Sequence, residues 1–271
     1  MKRTILQLRN VRRVFHPSTA DQVIALDGIN LDVNEEDFIT IIGSNGSGKS
    51  TLLNTIAGVF PPERRGVISI NQTDVTKFSE YKRAAYVGRV WQEPRVGTAG
   101  NLSIEENLSI ALRRDKSKGL RYALSKKRKV IFVEALSQLG MSLENRLKSQ
   151  VGTLSGGQRQ ALALIMATVS KPTILLLDEH IATLDPRTAR IVLELTEMII
   201  REEKMTALMV THNMEHALRY GNRLVMMHQG RIVVDIDGEQ KSKLTINDLI
   251  TSFERAAGEQ FKDDSILLTL D

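Results

Sequence analysis

Gly43-Ser44-Asn45-Gly46-Ser47-Gly48-Lys49-Ser50-Thr51 is the stretch that decides the fold. It follows Phe38–Ile42, a run with the β-branched and apolar content of a strand, and it opens a helix in which Leu52, Leu53, Ile56 and Ala57 recur at helical spacing. Glycines let the backbone curl until its N–H groups converge, and the start of the helix adds partial positive charge at the same place. This is the pattern of a phosphate-binding loop, in which Lys49 reaches the β- and γ-phosphates and the Ser50 hydroxyl meets Mg²⁺. An ordinary Gly/Ser turn capping a helix is the bland alternative, and the strand–turn–helix context weighs against it.

Ile174-Leu175-Leu176-Leu177-Asp178-Glu179 has the character of the complement: a continuous apolar run, as in a parallel strand covered on both faces, ending in two carboxylates. Asp178 then holds Mg²⁺ through water and Glu179 accepts a proton from the attacking water. Such a pair also starts many solvated loops; the P-loop upstream favours the functional reading. Leu154-Ser155-Gly156-Gly157-Gln158 is a second glycine turn entering a helix, with N–H groups and the Ser155 hydroxyl free to meet a phosphate. One nucleotide does not need two such cradles from one chain. Two chains sharing each nucleotide do.

Outward from these motifs, composition sets bounds. The chain has 271 residues, 42% hydrophobic and 25% charged, which excludes wholesale disorder and suits one large domain or one with an insert. It contains no cysteine, so a disulfide scaffold, a thiolate zinc site and a cysteine nucleophile are excluded and a reducing compartment is expected. No apolar run approaches the roughly 18 to 20 residues of a bilayer span, and Met1-Lys2-Arg3 lacks the apolar segment of a signal peptide. The expected place is the cytoplasm. Lys plus Arg exceeds Asp plus Glu by 37 − 32 = 5, an excess that fits nucleic acid or an anionic membrane surface and decides neither.

Thr4–Leu8, Val23–Leu26, Ile29–Val33, Val67–Ile70, Ala84–Val90, Thr206–Val210, Arg223–Met227 and Ile232–Val234 read as further strands, the last two paired across Gln229-Gly230. Helices are expected over Asn101–Arg113, with Ser103 and Glu106 as a capping box, over Val130–Leu139, from about Ser155, and from Pro186 to Arg201. Alternating strands and helices imply an α/β fold with a mainly parallel sheet, the first strands forming an antiparallel flank. The basic stretch Arg113–Lys129 reads as a solvated helix face or a binding site, and no periodicity is evident from about Ala256.

With Gln160 following it, Ser155-Gly156-Gly157-Gln158 closely resembles the signature of ATP-binding cassette (ABC) ATPases, and the resemblance runs from about Leu6 to Phe253. Phe15 matches the aromatic position that stacks on adenine, with a core aromatic as its alternative. Gln92, in Val90-Trp91-Gln92-Glu93-Pro94, matches the Q-loop glutamine that touches Mg²⁺ and the lytic water. Asp185 matches the D-loop and is equally a sound helix N-cap. His212 matches the histidine that contacts the γ-phosphate. Two positions depart from the pattern: Glu36 stands where the family commonly has Gly, which leaves any positive φ to Asn34, and Thr183 stands where a small residue is usual. Neither is expected to touch the chemistry. His180 reads as a residue behind the site or exposed, and Met205, Met209, Met226 and Met227 as core filling.

The resemblance implies a P-loop NTPase (RecA-like) core over 1–92 and 166–255, a helical signature subdomain over 93–165 and a tail over 256–271. It further implies an ATP hydrolase that uses ATP and Mg²⁺ and works as a homodimer, or paired with a similar ATPase. Its partners are transmembrane permease subunits and a substrate-binding protein, with no nucleic acid, and its place is the inner face of the cell membrane. Gly97-Thr98-Ala99, Leu102–Leu108, Thr211-His212-Asn213-Met214 and Gly221-Asn222-Arg223-Leu224 look like a group of bacterial uptake ATPases serving amino acids, tyrosine and tryptophan among them. The competing reading is a soluble ABC ATPase acting on nucleic acid or ribosomes, with the basic stretch as its phosphate footprint.

Overall fold

Two long strands, β1 (Thr4–Phe15) and β2 (Val23–Asn34), open the chain, followed by β3 (Phe38–Ile42), α1 (Lys49–Ala57), β4 (Val67–Ile70), β5 (Thr73–Asp74) and α2 (Glu80–Arg83). Next come β6 (Val87–Val90), α3 (Ile104–Ala111), α4 (Lys126–Ser137), α5 (Gly156–Thr168), β7 (Ile174–Asp178) and α6 (Pro186–Glu202). The chain ends on β8 (Ala207–Val210), α7 (Met214–Arg219), β9 (Arg223–His228), β10 (Arg231–Asp237), α8 (Gly238–Lys241) and α9 (Ile246–Ala257). This computed structural model describes residues 2–63, 65–113 and 126–257. Most of the basic stretch Arg113–Lys129, and the tail from 258 onward, lie outside the described residues. The chain divides into one unit of Met1–Arg83 with Lys204–Asp271 and another of Ala84–Glu203.

In the first unit, β2-β1-β4-β5 form an antiparallel sheet, the expected flank. Asp27-Gly28 does not divide β2 as the sequence suggested. Irregularities in the β1–β2 register absorb it instead, and the ladder continues on both sides. The other strands run β10-β9-β3-β8: β3 is parallel to both β8 and β9, and β10 returns antiparallel to β9. Gln229 and Gly230 both take positive φ, 45° and 76°, as a two-residue hairpin turn requires. All five residues of β3 are buried, as expected of a strand covered on both faces. Met205, Met209, Met226 and Met227 are buried as core filling.

The turn before β3 corrects one expectation. Asn34 stays extended, and Glu36 itself adopts the left-handed conformation at φ 62°. A non-glycine residue there is strained. Its neighbours hold it: Thr206 Oγ1 accepts from the Glu36 N–H at 3.0 Å, and Asn222 Nδ2 donates to the Glu36 carbonyl at 3.2 Å. Helix α9 was not among the expected elements, although Ile246, Leu249, Ile250 and Phe253 recur at helical spacing; its Leu249 and Phe253 are buried with Ile42, Ala217, Leu224 and Met226.

Two buried cations fasten this unit. Arg83 is fully buried; its Nη1 donates to the Thr55 and Ile56 carbonyls at 2.6 and 3.0 Å, and its Nη2 to the Thr76 carbonyl at 2.9 Å. Thr55 and Ile56 lie in the last turn of α1, where carbonyls run short of helical donors, and the Thr55 carbonyl has the Gly58 N–H at 3.3 Å besides Arg83. Arg83→Met strands the Ile56 and Thr76 carbonyls, and unfolding free energy should fall by about 2–4 kcal/mol in urea melts.

Lys241 donates to the Tyr220 and Gly221 carbonyls and to Thr40 Oγ1. Burial lowers its pKa from 10.5 to about 8. Between those two values the unfolded chain holds the proton and the folded chain does not, so stability rises with pH across that window and is flat below it. The full rise is on the order of 3 kcal/mol. Urea midpoints of the wild type should climb across this window relative to those of Lys241→Met.

In the second unit, β6 and β7 pair in parallel. The strand starts at Val87 rather than at Ala84, because α2 ends just before it. Helix α5 is buried from Gln160 to Thr168, as its all-round apolar pattern implies. Helix α3 starts on the expected capping box, with Ser103 and Glu106 bonded reciprocally.

Candidate nucleotide site

The P-loop in the first unit is a tight turn with a buried floor and an open rim. The Ser47 N–H donates to the Ser44 carbonyl at 3.1 Å, and the Ser47 carbonyl accepts from the Gly230 N–H at 3.0 Å, which ties the loop to the β9–β10 turn. Gly48, the α1 N-cap, has φ 102°, and a Cβ there would lie 2.3 Å from the Ala25 carbonyl oxygen. No side chain fits. Asn45, Gly46 and Ser50 are exposed at the rim, and Thr51 is half-buried one step into the helix.

Lys49 is 5% exposed, and its Nζ donates to the Gly43 and Ser44 carbonyls at 2.7 and 2.9 Å. The Ser47 hydroxyl is buried and has no hydrogen-bond partner among the described residues. A buried ammonium and an orphaned hydroxyl in a glycine turn at a helix start are what a phosphate group satisfies. The donors therefore fit a nucleotide's phosphates.

Strand register brings His212 to the same place. Ile41 pairs with Val210 in the parallel β3–β8 ladder, so Gly43 and His212 leave neighbouring strands two residues further on. The Thr211 N–H bonds to the Ile41 carbonyl at 3.1 Å, and the Asn213 side chain caps α7 by accepting from the His216 N–H at 2.9 Å. The half-buried His212 is thereby fixed between two anchored neighbours. Phe15 closes β1 opposite Val23, two residues from Ala25. Its ring meets Phe60 edge-on at 5.2 Å, and the Arg13 guanidinium lies 5.0 Å from its centroid.

In the second unit the β6–β7 register pairs Val90 with Leu177. Continuing it sets Gln92 level with Glu179. Asp178 is buried, and Arg89 Nη2 donates to its Oδ2 at 3.0 Å. Glu179 has φ 46°, a left-handed backbone of the kind that clusters at active sites. Gln160 Nε2 reaches from α5 to the Trp91 carbonyl at 3.1 Å, fixing the backbone just before the exposed Gln92. Beyond it, Arg159 Nε donates to Thr98 Oγ1 at 2.6 Å, and that hydroxyl donates to the Pro94 carbonyl at 2.8 Å. Arg89, Arg159 and the anchoring role of Gln160 escaped the sequence reading; the one signal was a polar residue inside the apolar helix α5.

Three expectations are refined here. The Thr183 hydroxyl lies 3.5 Å from the Gln92 carbonyl, so this departure from the family pattern touches the backbone of a candidate site residue and not its side chain. Of the two readings of His180, exposure is excluded: it is 1% accessible, with Nε2 3.1 Å from Thr196 Oγ1. At the head of α5, Ser155 is exposed but its N–H and that of Gln158 are already used. They bond reciprocally in a capping box, at 3.2 and 3.3 Å. The N–H groups left without helical partners are those of Gly156 and Gly157.

Helix α6 starts beside this turn. Asp185 caps it by accepting from the Thr188 N–H at 3.1 Å, with Pro186 at the first helical position. The hydrogen bonds from Thr188 hold the Asp185 carboxyl below the usual carboxylate range. A Cβ on Gly157 would lie 2.1 Å from Thr188 Cγ2, so α5 and α6 meet through the missing side chain.

Residues 26–182 match the family described as "ABC transporter". A tyrosine transport ATP-binding protein of Clostridioides difficile is 42% identical over 93% of this chain and 100% of its own length. The chain belongs to the ABC transporter ATP-binding proteins. A phosphonates import ATP-binding protein of Cupriavidus metallidurans is 30% identical over 97% of this chain and 92% of its own. Among solved structures, a dimeric ATP-binding cassette in a post-hydrolysis state, bound to ADP and Pi, superposes with a TM-score of 0.73 at 26% identity, covering 86% of this chain and 98% of that one. This ABC ATPase is thus an ATP-binding, ATP-hydrolysing transport subunit with the mainly parallel α/β fold and antiparallel flank of its family. Among the described residues no helix is long and apolar enough to cross a membrane.

Proposed function

We propose that two copies of this ABC ATPase close head to tail on two MgATP, each nucleotide held by the P-loop of one copy and by the Ser155-Gly156-Gly157-Gln158 turn and Asp185 of the other. The observation that carries this reading is the pairing of a buried ammonium, Lys49, with the unsatisfied Ser47 hydroxyl inside a glycine turn. Gly43, Ser44, Asn45, Gly46, Ser47, Gly48, Ser50 and Thr51 complete the phosphate cradle, and Phe15 stacks on adenine. A second cradle led by Gly156 and Gly157 calls for a second chain.

Ser50, Gln92 and Asp178 supply only oxygen donors for Mg²⁺, and among the described residues no three His, Asp or Glu side chains gather as a metal site by themselves. That suits an ion commonly held by one carboxylate, substrate phosphates and water. Bound Mg²⁺ neutralises charge on the β- and γ-phosphates. Glu179 accepts a proton from the attacking water as its oxygen bonds to the γ-phosphorus and the bond to the β–γ bridging oxygen breaks. His212 and Lys49 steady the charge on the departing phosphate, and ADP leaves with the bridging oxygen.

Residues 93–165 form the helical subdomain on a core of 1–92 and 166–255, and they face separate permease subunits at the inner side of the cell membrane. A substrate-binding protein delivers the cargo, and the relative at 42% identity makes amino-acid uptake, tyrosine included, the favoured transport. Sedimentation of the Glu179→Gln chain tests the pairing. Adding MgATP should convert monomer to dimer, and Ser155→Arg in the same background should block the conversion while ATP still binds. A chain that stays monomeric with ATP bound, or that dimerises equally with Arg at 155, refutes it.

A further inference from the structure

The β6–β7 register sets Arg89 opposite Leu176. In a pleated sheet the side chains of Arg89, Trp91, Leu176 and Asp178 therefore share one face. On it the Arg89 guanidinium lies between an anion and a ring. Its Nη2 is 3.0 Å from Asp178 Oδ2, with the two side chains 8% and 12% exposed, and its central carbon is 3.4 Å from the centroid of the Trp91 ring. Planar stacking and directed donation suit arginine and not lysine. Buried ion pairs add little net stability over apolar packing, so this pair needs a reason other than holding the fold.

We propose that Arg89 is a positioning residue for the metal carboxylate: it neutralises and orients Asp178 beforehand, and so sets how strongly Mg²⁺ is coupled to ATP binding. The inference rests on Asp178 serving the metal. A guanidinium on Asp178 Oδ2 opposes a second cation at the same carboxylate, and the metal therefore binds by partial exchange with Arg89. When its hold on Asp178 loosens, the cation shifts over the ring beneath it. Trp91, the only tryptophan in the chain, then changes its emission. Gln92 follows it directly, so the same exchange is felt by the backbone that presents the Q-loop amide.

The test uses the full chain carrying Glu179→Gln, which removes turnover, and compares ATP affinity in excess Mg²⁺ with that in EDTA by equilibrium dialysis. Trp91 emission is followed in parallel. Arg89→Met should raise the ratio of the two affinities about tenfold, because a unit charge opposing the metal is gone, and should abolish the Mg²⁺-dependent emission change. Arg89→Lys keeps the charge without the stack. It should hold the ratio within about threefold while losing most of the emission change, which also covers a failure of the Met variant to fold. Asp178→Asn should bring the ratio close to one. An unchanged ratio in Arg89→Met with the emission change intact, alongside a collapsed ratio in Asp178→Asn, overturns the role of Arg89. An unchanged ratio in Asp178→Asn overturns instead the metal role of Asp178 on which the inference stands.

Discussion

Replacing Glu179 by Gln lowers the rate of ATP hydrolysis about 10²- to 10⁴-fold, the range expected for loss of a general base, and leaves ATP affinity within a few-fold of the wild type. The swap keeps size and shape and removes only the ability to take a proton. Backbone geometry argues that the position was built for this carboxylate. Glu179 sits at φ 46°, and its carbonyl accepts from the Ala182 N–H at 3.0 Å, so the strained turn is fixed by the chain around it. Gln tolerates that turn as well as Glu, and the loss is therefore chemical. Phosphate release under saturating ATP, with nucleotide binding measured separately, distinguishes the two. Turnover within about fivefold of the wild type removes Glu179 from the reaction.

Lys49→Ala acts at the other step. Its ammonium is 5% exposed and spans the Gly43 and Ser44 carbonyls at 2.7 and 2.9 Å. Removing it deletes the buried cation proposed to meet the triphosphate and leaves the Gly43 and Ser44 carbonyls without that donor. Charge-assisted hydrogen bonds contribute about 1.5–3 kcal/mol each, so ATP affinity should fall at least about 10²-fold. Lys49→Arg should not restore it, since a planar fork cannot occupy the space of a compact ammonium inside this turn. Dialysis against labelled ATP reads the loss, with a urea melt to show that the chain remains folded. Affinity within threefold of the wild type excludes Lys49 as the phosphate's cation.

What the sequence disclosed was whatever a single segment encodes. Phe38–Ile42, Lys49–Ala57 and Ile174–Asp178 announce themselves by apolar runs, helical spacing and glycine punctuation, and each forms close to where it is read. What stayed hidden depends on neighbours far along the chain. Glu36 can hold a left-handed turn because Thr206 and Asn222 bond its peptide, and neither is local to it. Nothing local to Arg83 marks it for burial; the Thr55, Ile56 and Thr76 carbonyls that receive it come from elsewhere in the fold. Arg89 reaches Asp178 only once β6 and β7 are paired, a register no segment states. In the candidate site the motifs nominate residue types, while the contacts that orient them, such as Gln160 on the Trp91 carbonyl, are written in no single segment.

Where Gly157 leaves room for the Thr188 methyl, two helix mouths are welded into one piece. Ser155 crowns one mouth and Asp185 the other. Neither can then be tilted without carrying its companion along. In the proposed dimer a second copy of the chain would thus meet a single stiff docking head instead of two independent fingers, and a tug on either cap would be felt at both.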